Sequence, residues 1–387
     1  MEFFDSSDSD DEKFFSSLPF LNDIIESFTK QGGQSAKQLA MAIATDGKGE
    51  PNVDPVARIE FENLARVAEL HVTKTTGLQS SRNGSLTIET TTKGGWAARS
   101  VDALKPLLKE LSSFNNQDLE DPSMPEISKI FDLITPMMSE MTTGTMVGHL
   151  ARRSLGTYDL PIPRDENCIL LVVPNIESFG NDWSIPEKDL RLWVCLHEIT
   201  HHAVLGVPHI RSNLKGLLAR HAESFNNNPS SIQEQFGDMN ILDTSENLAS
   251  LQEFLNPEKI LNAVRSPEQE ALLPYLEALV AVIIGFVDHT MDQIGNELIS
   301  SYPMMTEALR RRRLETGDAD RFVEQILGLN LTQEQVNRGT SFISGIIERA
   351  GNEGLEKLWT QESNLPTPNE IDAPGLWLAR LDLKSND

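Results

Sequence analysis

The sequence predicts a mainly α-helical chain with a small β element, an α+β arrangement in which a histidine-bearing helix packs on a later apolar helix. Three observations predict it. Apolar residues recur at helical spacing over most of the chain. Only two short segments read as strands. The second, Cys168-Ile169-Leu170-Leu171-Val172-Val173, leads into a helical segment that carries His197-Glu198-Ile199-Thr200-His201.

The elements follow in chain order. Residues 1–18 alternate Ser, Asp and Glu with isolated Phe and read as a disordered acidic tail. Ser35 to Thr45 is a short helix. Gly47 to Pro51 breaks the chain, and Val53 to Val72 shows helical spacing through Val56, Ile59, Phe61, Leu64, Val67, Ala68 and Leu70. Asn83-Gly84 before the alternating Ser85 to Thr90 reads as a turn and short strand. Gly95-Trp96 opens a helix from Ala97 to Phe114, interrupted or kinked near Pro106, and Ile127 to Arg153 is a longer helix with a break or kink near Pro136. Leu160 to Arg164 is an extended turn. Cys168 to Val173 is β-branched, apolar and closed by Pro174-Asn175, a buried strand. Ile185-Pro186-Glu187 then opens a helix through Leu190, Trp193, Leu196 and Val204, ending near Gly206. Residues 222–250 read as a surface excursion. Pro267 to about Ser300 is the second strongly apolar helix, and helices broken by Gly, Pro and Asn complete the chain.

At 387 residues the chain is long for one compact unit. The division expected is the acidic tail, a helical region over 19–155, and a metal-binding region with C-terminal helices over 156–387. A net charge of -25 argues against nucleic acid or an anionic membrane as partner, since both need clustered Lys and Arg. The one dense basic run, Arg310 to Arg313, reads as a solvated helix face pairing with Glu307 and Glu315. No run approaches the roughly 18 uncharged apolar residues of a bilayer span. The first residues have neither a basic n-region nor an apolar h-region. Cys168 and Cys195 sit in apolar stretches and read as reduced, buried thiols. These features point to the cytoplasm. Oligomeric state is left open.

Chemistry concentrates in one place. On a helix, His197 and His201 lie on one face about one turn apart, where both imidazoles can chelate one metal ion. Glu198 sits about 100° around from His197, within reach of a water at the metal without being a ligand. Zinc (Zn2+) suits neutral imidazoles, and an open zinc site activates water near neutral pH. Glu198 would then take the water's proton. Such a motif arises by chance on the order of once in a hundred chains of this length. The bland alternative is two histidines on a partly buried helix with an exposed Glu. A third histidine six residues after His201 is excluded, because Val204 and Val207 occupy the positions of that longer motif's Gly and His. His209 reads as a loop residue, and His202 points off the metal face as a supporting group.

Further along, the chain resembles the uncharacterised zincin-like, zinc-dependent metalloprotease-like proteins of actinobacteria and their relatives. The resemblance covers most of the sequence after about residue 50. It rests on Gly156-Thr157-Tyr158-Asp159-Leu160-Pro161, Val173-Pro174-Asn175-Ile176, Leu196 to His201, Gly206-Val207-Pro208, Gly285-Phe286-Val287-Asp288-His289, Leu309 to Arg313 and Leu355-Glu356-Lys357-Leu358-Trp359. It implies hydrolysis of a peptide or other amide through a zinc-activated water, with His197 and His201 as ligands and Glu198 as general base. The family pattern on the later helix is Glu-Gly-x-x-Asp, and here the Glu position holds Ile284, which cannot bind zinc. Asp288, one turn on, is the first candidate for third ligand, with Glu277, His289 and His209 behind it. The rival expectation is a catalytically silent relative that keeps the fold for binding or scaffolding. Ile284 favours the rival and the intact Glu198 disfavours it.

Overall fold

A computed structural model describes residues 35–81, 85–112, 125–224, 266–314 and 331–384, with several positions between 317 and 329. The expected acidic tail, the Asn83-Gly84 turn and nearly all of the 222–250 excursion lie outside these residues.

Helices begin where the caps predict. Ser35 and Gln38 form a reciprocal capping box at the head of α1 (Ala36–Ala44). Asp54 caps α2 (Pro55–Thr76), Pro55 fills its first turn, and Gly77 closes it at φ 68°. The two strands, β1 (Thr87–Thr91) and β2 (Cys168–Val172), pair in parallel, Thr87 opposite Cys168 and Thr91 opposite Val172. Parallel pairing needs a crossover, and α3 (Lys93–Ser112) and α4 (Pro125–Arg153) lie within it. Both helices continue through Pro106 and Pro136, where breaks or kinks were expected.

After β2 the chain turns at once into α5 (Val173–Asp182), so Val173 starts a helix and does not end the strand. The histidine-bearing helix is α6 (Glu187–Val204), opening after Pro186 as read from the sequence. Next comes α7 (Pro208–Glu223), which places His209 in a helical first turn where a loop was expected. The fold closes with α8 (Pro267–Leu298), α9 (Tyr302–Leu314), α10 (Gln333–Glu356) and the short α11 (Pro368–Ile371) and α12 (Pro374–Lys384).

One hydrophobic cluster runs from Ala36 to Leu381, with α8 at its middle. By length and composition α8 could cross a bilayer, although Glu277 and Asp288 bound its longest uncharged run, Ala278 to Val287. Its apolar surface is used inside the protein. Leu276, Val280, Ile283 and Val287 are buried, and α8 packs on α2, α6, α7 and α10. Each such side chain contributes roughly 1.5–3 kcal/mol on burial. The crossing of α8 and α10 depends on two glycines. A Cβ at Gly285 would collide with the backbone of Gly339, and one at Gly339 with the carbonyl of Ala281. That close approach fixes α8 from behind, and Ile284, next in the chain, faces the cavity beside α6.

α2 corrects the sequence reading in a second respect. Its buried stripe is Ala57, Phe61, Ala65, Ala68 and Val72, whereas Val56, Ile59, Val67 and Leu70 are exposed. The apolar residues that marked α2 as a helix therefore occupy two opposite faces, and only one packs on the core.

Candidate metal centre

α6 is buried along almost its whole second half, including Glu198, Thr200, His201 and His202. His197 and His201 lie one turn apart with ring centroids 4.5 Å from each other and planes tilted by 33°, and Trp193 stacks on His197 at 4.7 Å. Aromatic packing thus fixes both imidazoles on the face predicted for them. Burial, with neighbouring His197 and Arg313, holds the His201 imidazole well below its ordinary range. It is therefore neutral near pH 7, the form that binds metal.

Glu198 is enclosed by the segment leading to β2. Its Oε2 accepts the Tyr158 backbone N–H at 2.8 Å. Its Oε1 lies 3.4 Å from His197 Nδ1 and accepts no hydrogen bond. Gly156 makes room for it, since a Cβ there would lie 2.6 Å from Glu198 Oε2 and 2.8 Å from Cγ. The Gly156 carbonyl is held by Trp96 Nε1–H at 2.8 Å, and Thr157 Oγ1 accepts the Leu170 N–H at 2.8 Å, tying this segment to α3 and β2. Burial raises the Glu198 carboxyl above the ordinary carboxylate range; His197 and the Tyr158 N–H oppose the rise, and Asp159 adds to it.

His202 supports the site from behind. Asn167 donates to the Ser85 carbonyl through Nδ2, which leaves its Oδ1 to accept from His202 Nε2–H at 2.9 Å. His202 Nδ1 is then the acceptor for the Tyr158 hydroxyl at 2.7 Å. This chain links β1's approach, α6 and the Tyr158 segment, as expected of a group off the metal face.

The cavity above the histidines is lined by Tyr158, His197, Glu198, His201, Ile284 and Asp288, among others, and measures about 110 Å³. Typical ligand pockets hold about 300–1,000 Å³, so this space fits a side chain or a chain end and not a folded segment. The basic run also reaches it. Arg310 and Arg311 pair with Glu307 on the exposed face of α9, as expected. Arg312 and Arg313 instead turn inward and correct the reading of a wholly solvated run. Arg312 pairs with Asp159 at 2.9 Å, and Arg313 with Asp288 at 3.1 Å.

Asp288 therefore lines the same cavity as the histidine pair, with both oxygens engaged by Arg313, at 3.3 Å and 3.1 Å. Among the described residues, no group of three His, Cys, Asp or Glu side chains is gathered closely enough to hold an ion. Glu277, His209 and His289 do not line the cavity, and His209 Nε2 bonds the Leu358 carbonyl at 3.1 Å. The residues fit zinc at three points: two imidazoles one helical turn apart on one face, a buried His201 Nδ1 with no hydrogen-bond partner, and the equally buried Glu198 Oε1. Buried polar atoms without partners are uncommon, and a missing ion is one recognised reason for them. Tyr158, Asp159, Arg312 and Arg313 escaped the sequence reading as site residues. The Tyr158 segment did carry a signal, as one of the motifs behind the family resemblance.

Comparison with known proteins bears on the family and the fold. Residues 33–378 match the family described as zincin-like metallopeptidase. No curated protein matches the chain. A solved structure described as "a putative hydrolase with a novel fold", from Chloroflexus aurantiacus, superposes with a TM-score of 0.62 at 21% identity, over 90% of this chain and 97% of that one. At that identity the likeness concerns the fold alone.

Proposed function

The chain belongs to the zincin-like metallopeptidase family, and on that premise we propose that it hydrolyses amide bonds with zinc held by His197 and His201 and with Glu198 as general base. The observation that carries this reading is the pair of buried atoms without hydrogen bonds, His201 Nδ1 and Glu198 Oε1, beside one cavity.

Zinc, when bound, supplies a Lewis acid that polarises an amide carbonyl and makes water acidic enough to attack near neutral pH. The chain's own residues do the rest. Glu198 offers Oε1 as proton acceptor while the Tyr158 N–H holds Oε2 and sets the carboxylate's plane. Burial raises its affinity for protons, which suits it to take the water's proton and return it to a leaving amine. His201 stays neutral and available as a donor. Asp288 is the proposed third ligand, and it must release Arg313 to serve. A freed Arg313 would then face the same cavity. The small cavity supports an amide near a chain end, or a small amide, as substrate.

A second reading has its own support. Ile284 at the ligand position and the Arg313–Asp288 pair favour a silent relative that uses the fold for binding. Glu198→Gln separates the two. Gln keeps the acceptor for the Tyr158 N–H but cannot take a proton. Under the enzymatic reading, hydrolysis of a peptide-library digest disappears while zinc content stays near wild type. Wild-type zinc with no hydrolysis in either protein would establish the silent reading. Loss of zinc from the variant would make Glu198 a ligand and overturn its role as base.

A further inference from the structure

α2 is apolar on two opposite faces. One is buried through Ala57, Phe61, Ala65, Ala68 and Val72, where α2 packs on α6, α8 and β1. The other presents Val56 (61% exposed), Ile59 (58%), Val67 (43%) and Leu70 (67%) to solvent, four of the ten large exposed hydrophobics among the described residues. At about 100° per residue these four fall within roughly 80° of one another, a single stripe about 20 Å long. A helix apolar on both sides is buried on both sides.

The stripe is arranged symmetrically about Asn63. Ile59 and Val67 lie four residues before and after it, Val56 and Leu70 seven before and after. A two-fold axis through a helix pair makes the helices antiparallel and sets residues at equal distances from the centre opposite each other. Ile59 then meets the partner's Val67, Val56 meets the partner's Leu70, and the two Asn63 side chains meet at the axis, where a paired amide fixes register. The flanks are complementary as well. Arg66 and Glu62 are exposed on the same side of the stripe, and antiparallel pairing brings Arg66 within about 3 Å, along the axis, of the partner's Glu62. Among the described residues Arg66 otherwise bonds Asn63, in its own turn, at 3.3 Å. Charge elsewhere does not favour self-association, because the chain carries -25. α2 is locally neutral, with Arg58, Arg66 and Lys74 against Glu60, Glu62 and Glu69.

We propose that the exposed face of α2 is an isologous interface, and that a second copy of this chain covers it as an antiparallel helix pair centred on Asn63. The interface is small, so association is concentration-dependent and reversible. The test is sedimentation velocity of the full chain from about 1 to 100 µM. The mass should rise from one chain to two across this range. Ile59→Glu with Leu70→Glu should remain a single chain throughout, with an unchanged circular dichroism spectrum. Arg66→Glu alone should weaken the dimer at least about tenfold, and Arg66→Glu with Glu62→Arg should recover most of that loss, because the swap restores both ion pairs. A wild-type chain that stays single throughout would overturn the proposal, as would a dimer indifferent to the double Glu variant. A charge swap no better than its single parent would overturn the antiparallel register.

Discussion

Gly156→Ala tests the position of Glu198 without touching a proposed ligand. A methyl at Gly156 would lie 2.6 Å from Glu198 Oε2 and 2.8 Å from Cγ, about 1 Å inside the roughly 3.5–4.0 Å optimum for non-bonded atoms. Glu198 is 1% exposed and its neighbours are packed, so it cannot simply swing into solvent. Overpacking of this kind costs about 1–3 kcal/mol. Displacing the carboxylate also weakens the bond from the Tyr158 N–H, a hydrogen bond to a charged group worth about 1.5–3 kcal/mol. Restricting the unfolded chain returns about 0.4–1 kcal/mol. The net loss is therefore about 1.5–5.5 kcal/mol. With an unfolding entropy near 2.1 cal/mol/K per residue, that lowers Tm by about 2–7 °C. Differential scanning calorimetry reads the shift, and elemental analysis should find zinc near the wild-type level because the histidines are not displaced. Any hydrolysis should fall at least tenfold. A variant with wild-type Tm and activity would refute the placement of Glu198 against Gly156.

Two further predictions concern the same carboxylates. Glu198 has a folded-state pKa above its unfolded value, so ionising it costs folded-state stability: the cost is absent below the ordinary carboxylate range near 4.3 and complete once pH exceeds the raised folded value. In chelator-treated protein, Glu198→Gln should therefore raise Tm at pH 7 and change it little at pH 4; a gain largest at pH 4 would contradict the raised value. Ile284→Glu restores an acidic side chain beside the histidine pair and should tighten zinc binding about tenfold or more by isothermal titration, and an unchanged affinity would mean that α8 does not approach the metal at Ile284.

How far the sequence carried this account depends on the range of the interactions involved. α6 was legible almost to its ends, because Pro186 opens it and the spacing through Leu190, Trp193 and Leu196 is a local signal. β2 was legible because a short β-branched apolar run has few other uses. The histidine pair needs only the helical repeat to bring its rings together. The two inward arginines were not legible. Arg312 reaches Asp159 across 153 residues and Arg313 reaches Asp288 across 25, whereas a run of four arginines beside Glu307 has a complete local explanation. α2 misled in a different way. Its apolar residues established a helix but could not say which of two faces met the core. Pro106 and Pro136 break neither α3 nor α4, because packing against neighbouring helices outweighs the loss of one backbone hydrogen bond.

Zinc held on the His197–His201 face of α6 is what the proposed hydrolysis depends on. Elemental analysis of protein purified without chelator and then equilibrated with a modest excess of zinc addresses it directly. The wild-type chain should carry about one zinc, and His201→Ala should lose most of it while keeping the wild-type circular dichroism spectrum. A folded wild-type chain that carries no zinc and takes none up, or a His201→Ala variant that holds zinc as the wild type does, would contradict the claim.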